Sequence, residues 1–293
     1  MPNIAIVLPS YREDLYHNGF MPKWKGLFEK HKVTILTVWD EEDPLKTALQ
    51  INNKEKINIK KIMGVDTDLV CNRYAGVRSL GFAYVGLFMP EVEYIVSLDD
   101  DLSPVGDPIQ DHLDVLNMRV PVSWIPIGNT YTRGFPYGVR QEAEVVLSHG
   151  VWEGVPDLDA PTQLITGAPP MDFYKMAIPK GVLAPISYMN TAFKRKLIPY
   201  VFMCPRIRGK LERCDDIWCS IEAKRVMDKK GWAMVTGYSR VYHARASNVF
   251  SSLVKESQFI QLNEGYWKGE QNDPYFAMYH ERRKRWENLA WRL

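Results

Sequence analysis

The chain has 293 residues, 46% hydrophobic and 25% charged, the composition of an ordinary globular protein long enough for one large α/β domain or two smaller ones. The formal net charge of +2 is too small to indicate a nucleic-acid or membrane-surface partner, and no apolar run reaches the ~20 residues that span a bilayer. The four cysteines form no CxxC pair and the sequence opens without a secretory pattern, so we expect reduced thiols and a cytoplasmic protein.

Strand-like and helix-like segments alternate over residues 1–127, which predicts an α/β class with a mostly parallel central sheet. The predicted strands are short and rich in β-branched residues: Asn3–Leu8, Lys32–Val38, Ile57–Ile62, Glu93–Leu98 and Val122–Ile127. Helices are predicted from Asp68 to Phe88, stopped by Pro90, and from Asp107 to Asn117.

The later part of the chain changes character. From Asn129 to about Pro185 it is rich in Gly, Pro, Asp and aromatic residues, typical of loops that carry the substrate side of a site. A helix is predicted from Cys214 through Met227 to a stop at Gly231, and a strand over Ala233–Thr236. An amphipathic helix is predicted for the C-terminal tail, residues 274–293, with an apolar face formed by Phe276, Tyr279, Trp286, Leu289, Ala290 and Leu293.

The apolar run Tyr94–Leu98 stops at three consecutive carboxylates, Asp99, Asp100 and Asp101. In open α/β sheets, ligands bind at the carboxyl ends of the strands. Mg²⁺ and Mn²⁺ bind one or two carboxylates together with phosphate oxygens of a substrate, and the first and third acids leave a strand on the same side. Asp99 and Asp101 are therefore predicted to hold one cation. Taken alone, a solvated acidic loop that caps the next helix explains the three acids equally well.

Several separated segments together resemble one known family. They are SLDDD at 97–101, RGFPYGVR at 133–140, SHGVW at 148–152, VPDLDAPTQ at 155–163, IPKG at 178–181, MNTAF at 189–193, CDDIW at 214–218 and HARASN at 243–248. In this order they are similar to the reversibly glycosylated polypeptides, the plant UDP-arabinopyranose mutase family. The run VPDLDAPTQ followed later by HARASN is the most specific part. There is no GxGxxG and no GxxxxGK[ST], so neither a dinucleotide fold nor a P-loop is supported.

The resemblance implies a GT-A-like nucleotide-sugar-binding fold. Residues 1–250 would form the catalytic domain, with 1–127 as its nucleotide part and 128–250 as its sugar side, and residues 251–293 a helical extension. The implied reaction interconverts the pyranose and furanose forms of a UDP-linked, arabinose-like sugar with Mn²⁺ or Mg²⁺ and without flavin, as in polysaccharide biosynthesis. A GDP-linked sugar and a homo-oligomer stay open.

The site residues divide into three groups. The expected metal ligands are Asp99, Asp101 and His243, although a lone histidine is more often structural. The expected catalytic residues are Arg140, which the resemblance marks as reversibly glycosylated, Asp216 and Asp100. The expected nucleotide-sugar-binding residues are Pro9, Ser10, Arg12, Asp40, Arg78, His149, Trp152, Asp157, Asp159, Asn190, Asp215, Arg245 and Asn248. His149 and Trp152 fit a core position equally well, and Asp215 fits a helix N-cap.

Arg140 is difficult to use as a nucleophile, because a guanidinium keeps its proton up to a pKa above ~12. Covalent capture of a sugar would need a carboxylate nearby, such as Asp157, Asp159, Asp215 or Asp216. Two rival functions share the expected fold and ligand. One is a GT-A glycosyltransferase that passes the sugar to a separate acceptor, and the other is a nucleotide-sugar-binding scaffold that is glycosylated without turnover.

Overall fold

One mixed sheet organises the part of the chain that the computed structural model describes, namely residues 3–72, 74–127, 130–167, 169, 174–203, 205–206, 213, 215–244 and 248–289. Its strand order is β4-β3-β2-β1-β5-β10-β8-β11-β6, with β7 beside β8 and β9 beside β11. The strands are β1 (Ile4–Ser10), β2 (Thr34–Trp39), β3 (Ala48–Ile51), β4 (Lys56–Asn58), β5 (Tyr94–Leu98), β6 (Leu102–Pro104), β7 (Arg119–Val120), β8 (Ala143–Gly154), β9 (Met176–Ala177), β10 (Asn190–Lys194) and β11 (Trp232–His243).

Strand direction defines one functional edge of the sheet. β1 is parallel to β2 and β5, and β8 is parallel to β11. β10 is antiparallel to both β5 and β8, so β5 and β8 run in the same direction. The carboxyl ends of β1, β2, β5, β8 and β11 therefore meet at one edge, called the carboxyl edge below. The prediction of a mostly parallel sheet is wrong, because β10 and the neighbouring strands β2, β3 and β4 pair antiparallel.

Helices cover both faces of the sheet and bury alternate residues of its strands. On β1, Ile4, Ile6 and Leu8 belong to the core shared with α1 and α4, whereas Ala5 and Val7 belong to the core shared with α2, α3, α6, α7 and α8. This alternation is expected of a strand that is buried on both faces. The helices are α1 (Met21–His31), α2 (Ile59–Met63), α3 (Ser79–Phe88), α4 (Pro108–Leu116), α5 (Ala160–Thr166), α6 (Asp215–Lys230), α7 (Val249–Tyr266) and α8 (Pro274–Leu289).

Most elements with a clear local signal are confirmed. The predicted strands at 3–8, 32–38 and 93–98 are β1, β2 and β5 within two residues. The helix predicted from Asp107 is α4, and the Asp107 carboxylate accepts a hydrogen bond from the backbone N–H of Gln110 at 3.1 Å. The predicted helix at 214–227 is α6, and the strand predicted over 233–236 is part of the longer β11.

Two predicted strands are wrong, because side chains take over the backbone groups. At 57–62 only the short β4 forms, and the Asn58 carboxamide then accepts from Lys60 N at 2.9 Å and begins α2. At 122–127 the structure has no strand. There the N–H groups of Val122 and Ser123 both donate to one oxygen of Glu142 at 2.6 Å, instead of joining a ladder.

The predicted helix over 68–88 is only half right. A short 3₁₀ turn at Ala75–Arg78 precedes α3, which ends at Phe88 as predicted. Asp68 does not cap a helix, and its carboxylate accepts from Arg285 at 2.8 and 2.9 Å. α8 buries four aromatic side chains, Tyr275, Phe276, Tyr279 and Trp286, and the rest of the predicted tail helix, 290–293, lies outside the described residues. No helix of the described chain is long and apolar enough to cross a membrane.

Candidate functional site

A cavity of about 450 Å³ opens at the carboxyl edge where β1, β2 and β5 end. Parallel strands bring their carboxyl ends together, which explains why residues far apart in sequence meet here. The cavity is lined by seven of the residues predicted from the sequence: Pro9, Ser10, Arg12, Asp40, Arg78, Asp99 and Asp100.

Asp100 joins the ends of β1 and β5. Its carboxylate accepts from Ser10 Oγ at 2.6 Å, from Arg12 Nε at 3.3 Å and from Arg12 Nη2. Arg12 Nη2 also reaches Asp101 Oδ2 at 3.3 Å. Burial raises the pKa of Asp100, and the hydrogen bonds from Arg12 and Ser10 oppose this. Because the side chain is buried and held by these internal bonds, Asp100 fixes the shape of the cavity. Its predicted catalytic role stays a prediction.

Arg78 holds Asp99 in a similar way from the 3₁₀ turn that precedes α3. Arg78 Nη2 donates to Asp99 Oδ1 at 2.6 Å, and Nη1 donates to Ser97 Oγ at 2.6 Å and to the Tyr188 carbonyl. Nε donates to the Ala75 carbonyl at 2.9 Å. Arg78 is only 2% exposed, whereas the Asp99 side chain is 30% exposed. The arginine therefore orients the carboxylate, which faces the cavity.

The acids at the end of β5 offer the donors that a hard divalent cation prefers. Asp101 Oδ1 is buried and has no hydrogen-bond partner among the described residues, as a ligand atom would be. No group of three or more His, Cys, Asp or Glu side chains within the described ranges could hold a metal ion by itself. The donor set therefore fits a cation that two carboxylates share with phosphate oxygens and water, as Mg²⁺ commonly is, and does not fit an all-protein cage.

His243 is the last residue of β11 and lies at the carboxyl edge. Its Nδ1 is 2.9 Å from the Val155 carbonyl. Since a carbonyl oxygen can only accept, Nδ1 carries the proton, and in the neutral ring Nε2 keeps a lone pair. This is the tautomer that a metal-binding histidine needs, and the metal role of His243 stays a prediction.

Asp157 follows β8 at the same edge. Burial raises the pKa of Asp157, opposed by a hydrogen bond with Ser187 and by the charge of Arg213, and Asp99 and His243 also act on it through their charges. The side chain is exposed to solvent but lies among many neighbouring atoms. This is the environment of a residue in the wall of a cleft. The carboxyl edge therefore brings Asp157 near Asp99 and His243, and its predicted nucleotide-sugar-binding role stays a prediction.

His112 and Asn190 form a buried network behind the edge. Asn190 Nδ2 donates to the carbonyls of Val151 at 3.1 Å and Ser239 at 3.3 Å. Its Oδ1 lies 3.0 Å from His112 Nε2, and His112 Nδ1 lies 2.8 Å from Ser148 Oγ. Burial lowers the pKa of His112 to about 4. Every polar atom of the Asn190 carboxamide is used within the protein, and its predicted ligand contact stays a prediction.

His149 and Trp152 are also buried. His149 Nε2 accepts from Ser187 N at 3.3 Å, and Nδ1 lies 2.8 Å from Thr236 Oγ1. Burial lowers the pKa of His149 to about 4, and His112 adds to this. Trp152 packs edge-on against the imidazole with ring centroids 5.9 Å apart. Their burial matches the core alternative that the sequence left open, and their sugar-binding role stays a prediction.

Other predicted ligands lie at helix starts. Asp159 accepts from Thr162 N at 3.0 Å and begins α5, and Asn248 accepts from Ser251 N at 3.0 Å and begins α7. Asp216 is half-buried in the first turn of α6. Arg245 and the Asp215 side chain lie outside the described residues. The catalytic role of Asp216 and the nucleotide-sugar-binding roles of the other four residues stay predictions.

Arg140 lies away from this cavity, just before β8. Its guanidinium stacks over the rings of Tyr137 at 3.8 Å and Tyr131 at 4.8 Å. Thr191 of β10 pairs with Ser97 of β5 on one side and with His149 of β8 on the other. Ser97 and His149 therefore lie at the same height in the sheet. Since β8 runs from Ala143 toward the carboxyl edge, its start lies roughly 20 Å from His149 at about 3.3 Å per residue. Arg140 therefore sits at the opposite edge of the sheet from the acids.

Sequence reasoning missed several cavity residues, among them Tyr11, Tyr74 and Arg213. The signal available for each was adjacency to a predicted residue or motif. Tyr11 lies between Ser10 and Arg12, Tyr74 precedes the turn that carries Arg78, and Arg213 precedes CDDIW.

Residues 2–272 match the sequence model of a family described as reversibly glycosylated polypeptide. UDP-arabinopyranose mutase 3 of Arabidopsis thaliana is 29% identical over 296 residues, covering 93% of this chain and 77% of the relative. UDP-arabinopyranose mutase 1 of Oryza sativa subsp. japonica is 28% identical over 287 residues, covering 89% and 75%. Among solved structures, the crystal structure of A197 from STIV is 10% identical with a TM-score of 0.39, over 84% of this chain and 87% of that one, a likeness too distant to support an inference.

Proposed function

Because the chain belongs to the reversibly glycosylated polypeptide family, we propose that it is a mutase that interconverts the pyranose and furanose forms of a UDP-linked, arabinose-like sugar. One observation carries the proposal beyond family membership. The cavity at the carboxyl edge combines Arg12 and Arg78 with Asp99 and Asp100, the charges that a diphosphate and its cation need. The acid cluster directly after a central parallel strand also supports the proposed GT-A-like fold.

The chain's own residues have distinct tasks in this proposal. Asp99 and Asp101 would hold Mn²⁺ or Mg²⁺ together with phosphate oxygens of the ligand. When bound, the cation stabilises the negative charge of the departing diphosphate. Arg78 keeps the Asp99 carboxylate aimed into the cavity, and Arg12 with Ser10 keeps the Asp100 loop in place.

Asp157 is the best placed residue for the proton transfers on the sugar. Changing the ring size breaks the anomeric C–O bond to the diphosphate. The old ring C–O bond at the anomeric carbon also breaks and its oxygen takes up a proton, while a different sugar hydroxyl bonds to the anomeric carbon and loses its proton. The diphosphate then re-forms the ester. The pKa of Asp157 is raised by desolvation, which favours a carboxyl group that can both accept and return a proton.

The product of the reaction tests the function. We would incubate the protein with UDP-linked pyranoses and furanoses and Mn²⁺, and separate the nucleotide sugars by anion exchange. A new nucleotide sugar of unchanged mass supports the mutase. Free UDP together with a glycoside supports the glycosyltransferase instead, and stoichiometric labelling of the protein without turnover supports a binding scaffold.

Reversible glycosylation of Arg140 is the finer part of the proposal, and its position bears on the route. The sugar would exchange its C–O bond to the diphosphate for a C–N bond to the guanidinium, which loses one proton. Since Arg140 lies at the sheet edge opposite the acids, we propose that the donor is bound to a second copy of the chain.

Two complementary variants test this route. Asp99→Asn keeps Arg140 but impairs the cavity, whereas Arg140→Lys keeps the cavity and lacks the acceptor. We expect neither alone to be labelled by a radioactive UDP-sugar, and the Asp99→Asn chain to be labelled in the mixture. Transfer between copies would be refuted if the mixture carries no label and if the labelling rate of the wild-type protein does not depend on its concentration.

A further inference from the structure

We propose that Arg213 binds the phosphate groups of the ligand in the carboxyl-edge cavity, as its third arginine. The identity of that ligand as a nucleoside diphosphate rests on the proposed function. Arg213 lines the cavity together with Arg12 and Arg78, but it approaches from the segment that precedes α6, on the side of the C-terminal helices.

One hydrogen bond anchors the Arg213 guanidinium. Its Nη2 donates to Ser252 Oγ at 3.2 Å, and Ser252 is a 4% exposed residue in the first turn of α7. A guanidinium has five N–H donors in a fixed fork. Among the described residues, Arg213 has no second hydrogen bond and no carboxylate within ion-pair distance. Most of its donors are therefore available to a ligand, while Ser252 limits the motion of the side chain.

The two other arginines of the cavity differ in this respect. Arg12 pairs with Asp100 and Asp101, and Arg78 pairs with Asp99 and donates to three further oxygens. Their charges are therefore balanced within the protein, whereas Arg213 has no such close partner.

The carboxylates that face Arg213 act from a longer range. Its charge lowers the pKa values of Asp157 and Glu256, both of which burial raises. Glu256 is itself engaged by the Ala160 N–H at 2.7 Å. The positive charge of Arg213 is thus oriented but not neutralised by an adjacent carboxylate. A phosphate, whose oxygens match the guanidinium fork, is the ligand group that suits it.

Calorimetric titration with three probes tests this assignment: UDP, uridine and inorganic pyrophosphate. Arg213→Ala should weaken UDP and pyrophosphate binding by roughly 10- to 100-fold, the usual effect of losing a hydrogen bond to a charged group. Uridine binding should stay within about twofold, because uridine lacks phosphate. Arg213→Lys should give an intermediate loss, since it keeps the charge without the fork. Arg119→Ala, at the opposite edge of the sheet, is the matched control and should change none of the three.

Unchanged UDP and pyrophosphate binding in Arg213→Ala would overturn the assignment, as would equal losses for uridine and UDP. If Arg213→Ala fails to fold, Arg213→Lys decides by the same comparison. If the Arg213 variants bind UDP as tightly as the wild-type protein does, this inference is refuted and the mutase proposal is left intact. Protein that binds UDP through Arg213 but isomerises no nucleotide sugar refutes the mutase and leaves this inference intact.

Discussion

At the residue scale, the sequence identified the charged groups of the cavity but not their pairing. Arg12, Arg78 and the three acids after β5 were all predicted from strand ends and motifs. The partners Arg12 and Asp100 are separated by 88 residues, and only the parallel pairing of β1 with β5 brings them together. Arg213 belongs to no periodic or recurrent pattern, so its position next to Ser252 became visible only in three dimensions.

Asp101 offers a direct test of the cation site. Asp101→Asn keeps the size of the side chain but removes a negative charge, so we expect turnover to fall by at least about 100-fold, because a catalytic cation contributes several kcal/mol. Initial rates over a Mn²⁺ series measure this. Asp114→Asn, which changes a carboxylate that accepts a hydrogen bond within α4, should retain wild-type rates. Equal rates for Asp101→Asn and wild type would exclude Asp101 as a ligand.

Gly150 tests the packing behind the site. A Cβ at this position would lie 2.1 Å from Asn190 Nδ2 and 2.9 Å from the backbone carbonyl oxygen of Asn190. Gly150→Ala should therefore lower the free energy of unfolding by roughly 1–3 kcal/mol. Gly26→Ala, in α1 with nothing within 4 Å of the new Cβ, should instead raise it by about 0.5–1 kcal/mol. Urea unfolding measures both. A Gly150→Ala protein as stable as wild type would contradict the close approach of β8 and β10.

At the element scale, local signals succeeded where the capping residue lies within the element, and two of the wrong predictions have a distant group as their cause. Asp107 begins α4 as its position before Pro108 predicts. The β-branched segment at 122–127 reads as a strand, but Glu142 captures its first N–H groups. Asp68 reads as an N-cap, but Arg285 of α8 binds its carboxylate. In both failures the decisive partner is far away in the sequence, where propensity has no information.

Two arginines of α8 should differ in their contribution to stability. Arg283 is paired with Glu222, a buried carboxylate that also accepts from Tyr266. Arg285 pairs with Asp66 and Asp68 nearer the surface. We expect Arg283→Ala to lower the free energy of unfolding by about 1.5–3 kcal/mol, because it removes a charged hydrogen bond from the buried Glu222 carboxylate, which keeps Arg225 as a partner, and Arg285→Ala by about 1 kcal/mol.

Urea unfolding at low and high salt separates the two cases. Salt should reduce the effect of Arg285→Ala, since exposed charges are screened, and should leave that of Arg283→Ala nearly unchanged. Equal losses for the two variants would show that Glu222 does not depend on Arg283.

At the scale of the whole molecule, two buried histidines make stability depend on pH. Burial lowers the pKa values of His112 and His149 to about 4, whereas histidines of an unfolded chain titrate near 6.5. Between these values the unfolded state binds more protons, so stability is fully present above about pH 6.5 and is lost as the pH falls toward 4.

From pH 7 to pH 5 we expect a loss of about 2 kcal/mol for each histidine, measured by urea unfolding at several pH values. His112→Asn should be less stable at pH 7, because its network is broken, but its stability should fall less steeply with pH. His17→Asn, a change at an exposed position, should leave the slope unaltered. A slope for His112→Asn identical to that of wild type would contradict a neutral, buried His112.

The arginine–carboxylate pairs at the carboxyl edge have a thermodynamic consequence. An anion that recruits Arg12 or Arg78 competes with Asp100 or Asp99 for the same N–H groups and so releases carboxylate oxygens. A cation that engages those oxygens in turn releases the guanidinium for the anion. Each partner therefore raises the affinity of the other, and linkage requires the two enhancements to be equal. For the proposed nucleotide and cation, this coupling predicts cooperative uptake as a neutral ensemble, in preference to either charge alone.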